Sequence, residues 1–255
     1  MAGILDRFRL DGRVALVTGA SSGLGRDIAV ALAEAGADVM LAARRADRLA
    51  ETARLAGKTG RRVATSVTDV ADPDSCEHAA AATVAELGRL DILVNCAGLA
   101  TAVPAGKETP EQFRSVLEVN LEGSYWMAKA CAARMGPGAS IVNIGSVLGL
   151  STVGLPHAAY SASKAAVLGL TRDLAGQWTG RKGIRVNAVV PGYFPTDMTA
   201  THQDGFLDGL ADRRIPMRRL GEGAECAAAV VFAAGDASSY MTGSAIVVDG
   251  GFLIT

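Results

Sequence analysis

Short apolar runs alternate along the chain with longer stretches whose apolar residues recur every three or four positions. Val14-Ala15-Leu16-Val17 is apolar on both faces, which predicts a buried strand, and it stops at Thr18-Gly19. Leu24, Ile28, Ala31, Leu32 and Ala35 then share one face at helical spacing, with Gly36 where a helix C-terminus takes a glycine. The unit recurs. Val39-Met40-Leu41-Ala42 reads as a strand and residues 47–55 as a helix. Residues 63–67 form the next strand, and Asp72-Pro73, a capping residue with proline at the first helical position, opens a helix to Leu87. Ile92-Leu93-Val94 is a fourth strand. Thr109-Pro110-Glu111-Gln112 is a capping box that starts a helix running toward Ala132. Residues 140–144, 185–190 and 245–248 bring the total to about seven strands. This alternation predicts an α/β fold: a doubly wound parallel sheet with helices on both faces and right-handed crossovers. No linker or low-complexity stretch divides it, so residues 1–255 read as one domain.

The first strand runs into Thr18-Gly19-Ala20-Ser21-Ser22-Gly23-Leu24-Gly25. Glycines at a strand-to-helix turn let the backbone pass close to a ligand and leave helix N–H groups aimed outward, an arrangement that suits a pyrophosphate. The alternative is a glycine-rich turn without a ligand; its place after the first strand favours binding. Binders of non-phosphorylated dinucleotides usually carry Asp or Glu at the end of the second strand. Here that place holds Ala42-Ala43-Arg44-Arg45. A guanidinium clamps a 2′-phosphate that a carboxylate repels, so the pair favours NADP(H) over NAD(H). Otherwise Arg44 and Arg45 are a solvated loop pair.

Tyr160-Ser161-Ala162-Ser163-Lys164 sets a lysine one helical turn after a tyrosine, on the same face. A phenol titrates near ~10 in water, and a neighbouring ammonium lowers that value toward working pH. Ser146 ends a strand upstream. An exposed helical pair is the plainer reading of Tyr160 and Lys164, and the company of Ser146 and the glycine turn argues against it.

Composition removes whole classes of function. Of 255 residues, 49% are hydrophobic and 20% charged, which rules out a disordered chain. With 25 basic residues against 26 acidic ones, the net charge of -1 offers no phosphate-neutralising face, so no nucleic-acid partner is expected. Cys76, Cys96, Cys131 and Cys226 are scattered, and His78, His157 and His202 have no ligand spacing, so neither a metal site nor a disulfide framework is expected. The opening residues lack a signal peptide's apolar run, and no run approaches the ~18–20 apolar residues of a membrane helix. A soluble, cytoplasmic protein is expected.

Taken in order, 18–25, Asp69-Val70, Asn95-Cys96-Ala97-Gly98, Asn120, Ile144-Gly145-Ser146, 160–164, Pro191-Gly192 leading to Thr196, and Asp249-Gly250-Gly251 carry a resemblance. The chain resembles the classical short-chain dehydrogenase/reductase family over nearly its whole length. The resemblance implies a Rossmann-type fold with a nicotinamide cofactor at the carboxyl ends of the strands. It implies that Tyr160 protonates the substrate oxygen in reduction and takes the proton in oxidation. Lys164 would lower the tyrosine pKa and hydrogen-bond the nicotinamide ribose, Ser146 would hold the substrate oxygen, and Asn120 would support a water-linked relay through Lys164. Gly19, Ser21, Ser22, Gly23, Leu24 and Gly25 would meet the pyrophosphate, with Arg44 and Arg45 at the ribose. Asp69 and Val70 would contact the adenine end, and Asn95, Ala97 and Gly98 would flank the cofactor. Pro191 and Gly192 lead to Phe194 and Thr196, which would meet the carboxamide. The substrate would be a small ketone or secondary alcohol, and the assembly a homotetramer or homodimer.

Plainer readings stand beside these. Asn120 would cap or bend its helix, and Ser146 would simply end a strand. Cys96 replaces an asparagine often found in its motif and reads as a small buried thiol. His157, three residues before Tyr160, reads as a loop histidine or a cleft residue, and Tyr125 and Trp126 as core filling or a subunit contact. Residues 199–214 read as a mobile lid. A carrier-protein 3-oxoacyl reductase is an alternative, although Asp173-Leu174-Ala175-Gly176-Gln177 lacks the basic residue such enzymes often keep after the lysine; Arg134 and Arg172 lie nearby. A dinucleotide-binding sensor or scaffold is the non-enzymatic alternative.

Overall fold

The computed structural model describes residues 3–199 and 205–255. Strands β1 (Val14–Thr18), β2 (Asp38–Ala43), β3 (Val63–Val67), β4 (Ile92–Asn95), β5 (Ser140–Ile144), β6 (Arg185–Pro191) and β7 (Ala245–Val248) form one sheet in the order β3-β2-β1-β4-β5-β6-β7. Every neighbouring pair is parallel. Between them run α1 (Gly23–Glu34), α2 (Ala46–Gly57), α3 (Pro73–Leu87), α4 (Pro110–Leu117), α5 (Gly123–Ala132), α6 (Ala158–Lys182), α7 (Phe206–Arg214) and α8 (Gly223–Ala234).

Strand periodicity explains the two layers of helices. Ala15, Val17, Val39 and Leu41 point to one face and pack with Ile28, Leu32 and Val230 of α1 and α8. Val14, Leu16 and Met40 point to the other and pack with Ala79, Met127 and Leu174 of α3, α5 and α6. Burial of each large apolar side chain contributes ~1.5–3 kcal/mol, which is why the central strands are apolar throughout. β3 and β7, the two edges, are the strands with exposed positions.

The local signals act as their chemistry requires. Asp72 accepts from the Asp74 N–H at 3.0 Å, with Pro73 opening α3. Thr109 and Gln112 bond reciprocally at 3.0 and 3.3 Å. Gly36 closes the turn after α1 at φ 110°, a conformation that favours glycine.

The helix expected from 109 to 132 differs in one respect. Its middle, Glu118–Glu122, is a single π turn between α4 and α5. One inserted residue widens the turn and turns Asn120 wholly into the interior.

The sheet order reverses between β1 and β4: the chain first builds outward to β3, then returns to lay β4 on the opposite side of β1. In an open parallel sheet this leaves a crevice at the carboxyl ends of the strands. A small third cluster, with Val147, Leu168, Val190, Tyr193, Leu210 and Phe252, floors one end of it. Among the described residues, no helix is long and apolar enough to cross a membrane.

Candidate active site

The crevice is a cavity of about 630 Å³, within the usual range for small-molecule sites. One wall is the glycine turn. A Cβ on Gly25 would sit 2.3 Å from the Gly19 carbonyl oxygen, and one on Gly19 would sit 2.8 Å from Ala97 Cα. The turn therefore folds back on itself and presses against the segment after β4. Thr18 fixes that contact, its Oγ1 accepting from the Cys96 and Ala97 N–H groups at 3.0 and 3.1 Å.

Ser22 is the N-cap of α1, yet its side chain makes no capping bond to the helix. It accepts instead from Arg45 Nη2 at 2.9 Å, and Ser21 accepts from the same nitrogen at 3.1 Å. Arg45 thus reaches from the end of β2 to the turn, and Arg44 lines the cavity beside it. A turn with no room for a side chain at Gly19 or Gly25, a helix N-terminus without a side-chain cap and an adjacent guanidinium fit the phosphates of a dinucleotide. Asp69 and Val70 line the same end; Asp69 Oδ1 accepts from the Ala71 N–H at 3.1 Å, which shapes that loop.

The other end holds the chemistry. Ser146 follows β5, and its Oγ accepts from the Leu148 N–H at 3.1 Å. Tyr160 and Lys164 stand one turn apart near the start of α6, and both line the cavity. Lys164 Nζ lies 5.8 Å from the centroid of the Tyr160 ring and donates to the Ile144 carbonyl at 2.7 Å. Burial draws the Lys164 ammonium down to about 8, and burial pushes the Tyr160 phenol up. Hydrogen bonding to Ser146 draws the phenol back in part. The sequence led us to expect a phenol lowered by its lysine; instead removal from water raises it, and the group that draws it down is Ser146.

Most of the residues singled out from the sequence share this one cavity: Gly19, Ser21, Ser22, Gly23, Leu24, Gly25, Arg44, Arg45, Asp69, Val70, Ala97, Gly98, Ser146, Tyr160, Lys164, Pro191, Gly192, Phe194 and Thr196. Two stand behind its wall. Asn95 is buried, and its amide donates to the Ser124 carbonyl at 3.0 Å and to Asn143 Oδ1 at 2.9 Å, tying β4 to β5 and α5. Asn120 Oδ1 accepts from the Leu99 N–H at 2.8 Å, while its Nδ2 donates to the Leu99 carbonyl and to Ser163 Oγ, both at 2.9 Å. Its direct partners are therefore the loop after β4 and α6, with Lys164 bonded elsewhere. Of the expected lid, residues 200–204 lie outside the described residues, whereas 206–214 form α7.

Two contributors, Ser163 and Leu99, were not singled out from the sequence. Ser163 donates to the Tyr160 carbonyl at 2.7 Å and so couples Asn120 to the turn carrying the tyrosine. Its place between Tyr160 and Lys164 was the available signal. Leu99 offers only backbone. Tyr193 lines the cavity with its hydroxyl buried and unpartnered among the described residues. Cys96 also lines the cavity, and burial raises its thiol to about 11, so it is no thiolate at neutral pH.

A phosphate-fitting turn and a serine–tyrosine–lysine cluster, at opposite ends of one crevice above a doubly wound sheet, define a class: oxidoreductases of nicotinamide dinucleotides. Comparison with known proteins gives the family. A family model described as enoyl-(acyl carrier protein) reductase matches residues 19–253. The chain is 43% identical to D-threitol dehydrogenase of Mycolicibacterium smegmatis over 97% of this chain and 95% of that one. It is likewise 43% identical to galactitol 2-dehydrogenase (L-tagatose-forming) of Cereibacter sphaeroides, over 97% of each. A gluconate 5-dehydrogenase from Burkholderia cenocepacia, solved in complex with NADP and tartrate, superposes with a TM-score of 0.91 at 36% identity, covering 99% of this chain and 100% of that one. The chain belongs to the short-chain dehydrogenase/reductase family. It is an oxidoreductase of that type, acting at a CH–OH or C=O group.

Proposed function

We propose that the protein is an NADP(H)-dependent oxidoreductase interconverting a ketone and the matching secondary alcohol, with Tyr160 as general acid in reduction and general base in oxidation. One observation carries this reading: Ser146, Tyr160 and Lys164 line the same cavity as the turn from Gly19 to Gly25. When bound, the nicotinamide supplies or accepts the hydride. The rest falls to this chain's own groups. Ser146 Oγ holds the substrate oxygen, and the Tyr160 hydroxyl gives its proton to that oxygen as negative charge develops. A buried phenol, raised above its ordinary value, is protonated at neutral pH, the form that reduction needs. In oxidation the same group must first lose its proton, and the Lys164 ammonium beside the ring stabilises the phenolate. Asn120 would support a water-linked relay through Lys164, its side chain holding the loop after β4 against α6.

The NADP(H) preference rests on Arg45 at Ser21 and Ser22, on Arg44 beside it, and on the lack of a carboxylate at the end of β2. The solved gluconate 5-dehydrogenase holding NADP supports it. The relatives' named substrates support a hydroxylated carbon chain. They do not favour a carrier-protein reductase, and Arg134, a candidate for such docking, is engaged by Glu77 at 2.6 Å. Initial rates with each nucleotide across ketoses and the matching polyols test the reading. NADPH-linked reduction is expected; absence of hydride transfer with either nucleotide across the panel overturns it.

A further inference from the structure

Ser163 lies between Tyr160 and Lys164 in the chain, yet it is wholly buried and lies outside the cavity wall. Its hydroxyl has one proton to give, and it gives it to the Tyr160 carbonyl at 2.7 Å. The same oxygen accepts from Asn120 Nδ2 at 2.9 Å. A serine inside a helix often returns its hydroxyl to a carbonyl three or four residues back, and such a bond alone is local. The bond from Asn120 makes this hydroxyl a bridge between two elements.

The bridge falls where α6 is otherwise least anchored to the sheet. Farther along, the helix is fastened to β5: Lys164 Nζ donates to the Ile144 carbonyl at 2.7 Å, and Asn143 Nδ2 donates to Thr171 Oγ1 at 2.9 Å. Tyr160 stands before both anchors, in the first turn, where helices fray. The N-cap of that turn, His157, makes no side-chain capping bond. The turn is tied instead to the loop after β4, by His157 Nδ1 at 2.9 Å from the Thr101 carbonyl and, through Asn120, by Ser163.

Asn120 is built to carry this tie. Its amide takes the Leu99 N–H and the Leu99 carbonyl together, and its own backbone carbonyl accepts from Ser124 Oγ at 2.7 Å. With Asn120 and Ser163 wholly buried, a lost partner is not replaced by bulk water, so the network holds one geometry. Proton transfer needs that precision, since a displacement of about 1 Å can cost ~10²-fold in rate.

Resting on the reading of Tyr160 as the proton-transfer group, we propose that Ser163 is a positioning residue: its hydroxyl locks the turn carrying Tyr160 to the loop after β4 and so keeps the phenol in place at the substrate oxygen.

The test compares Ser163→Ala and Tyr160→Phe with the wild-type protein. Initial rates with NADPH and NADH are measured in H2O and in D2O on a ketone that the wild type reduces, and nucleotide Kd is measured by fluorescence quenching. Alanine suits a helix and removes only the bridge. Ser163→Ala is expected to lower kcat by about 10–100-fold and to leave nucleotide Kd unchanged. The solvent isotope effect on kcat is expected to grow, because the proton step has become the slower one. An undiminished kcat overturns the proposal. So does a fall in kcat matched by weaker nucleotide binding, the mark of a displaced loop, or a fall with an unaltered isotope effect. Tyr160→Phe controls for the underlying reading: full activity there means that the phenol transfers no proton, and the proposal falls with that reading. A loss in Tyr160→Phe without one in Ser163→Ala removes the proposal alone.

Discussion

Lys164 faces the ring of Tyr160 at 5.8 Å while giving its hydrogen bond to the Ile144 carbonyl, so the ammonium stands beside the phenol without pairing with it. Such an ammonium stabilises a phenolate when one forms, yet leaves the hydroxyl proton in place while the site is at rest.

Stability should register the burial of that lysine. Lys164 titrates near 8 in the folded protein against 10.5 for the ordinary group. Between those values the unfolded chain holds the extra proton, so stability rises with pH across the window; below 8 the penalty is complete, and above 10.5 it is gone. Buried thiols and phenols titrate in the same range, but Lys164→Met shares them and cancels their effect. The wild-type stability relative to Lys164→Met is expected to rise by about 3 kcal/mol from below pH 8 to 10.5. Urea unfolding of both proteins at each end of the window measures it, and a flat difference would mean that the ammonium is well solvated.

Tyr160→Phe keeps the ring and removes the proton donor. A fall in kcat of about 10²–10⁴-fold is expected, with a smaller change in the KM for nucleotide. Steady-state rates on any ketone the wild-type enzyme reduces decide the matter; an undiminished kcat excludes the phenol from proton transfer.

Arg45→Ala removes the guanidinium held by Ser21 and Ser22. Loss of a charge-assisted bond to a 2′-phosphate should raise the KM for NADPH by about 10–100-fold and spare that for NADH. Equal effects on both nucleotides would point to a disturbed turn instead of a lost phosphate contact.

Gly25→Ala introduces a Cβ 2.3 Å from the Gly19 carbonyl oxygen, against backbone that has nowhere to go. Destabilisation of about 1–3 kcal/mol and a Tm lower by several degrees are expected, together with weakened nucleotide binding. Thermal unfolding with and without nucleotide separates the two effects.

The parts of this molecule that sequence made legible are those governed by local rules. Ala15, Leu16 and Val17 had to be a central strand because both neighbouring faces needed apolar residues, and Asp72-Pro73 and Thr109 announced their helices through groups a few residues away. The cleft motifs converge because most lie at the carboxyl end of a strand, and α6 brings Tyr160 and Lys164 to the end of β5, where Lys164 bonds the Ile144 carbonyl. What escaped depends on distance or depth. The π turn at Asn120 leaves the polar and apolar spacing of its helix nearly intact. Asn95 turns away from the cleft toward Asn143, a partner 48 positions along the chain. The upward shift of Tyr160 follows from how deeply its ring is covered, a quantity that no spacing of residues records.

The contact between Thr18 and Cys96 joins positions 78 apart in the chain. A ribosome adding ~5–20 residues per second makes the phosphate-fitting turn roughly 4–16 s before the segment that seals it. Newborn chains therefore carry an unfinished pocket through that interval, and nucleotide can help to hold the fold only once β4 has joined the sheet.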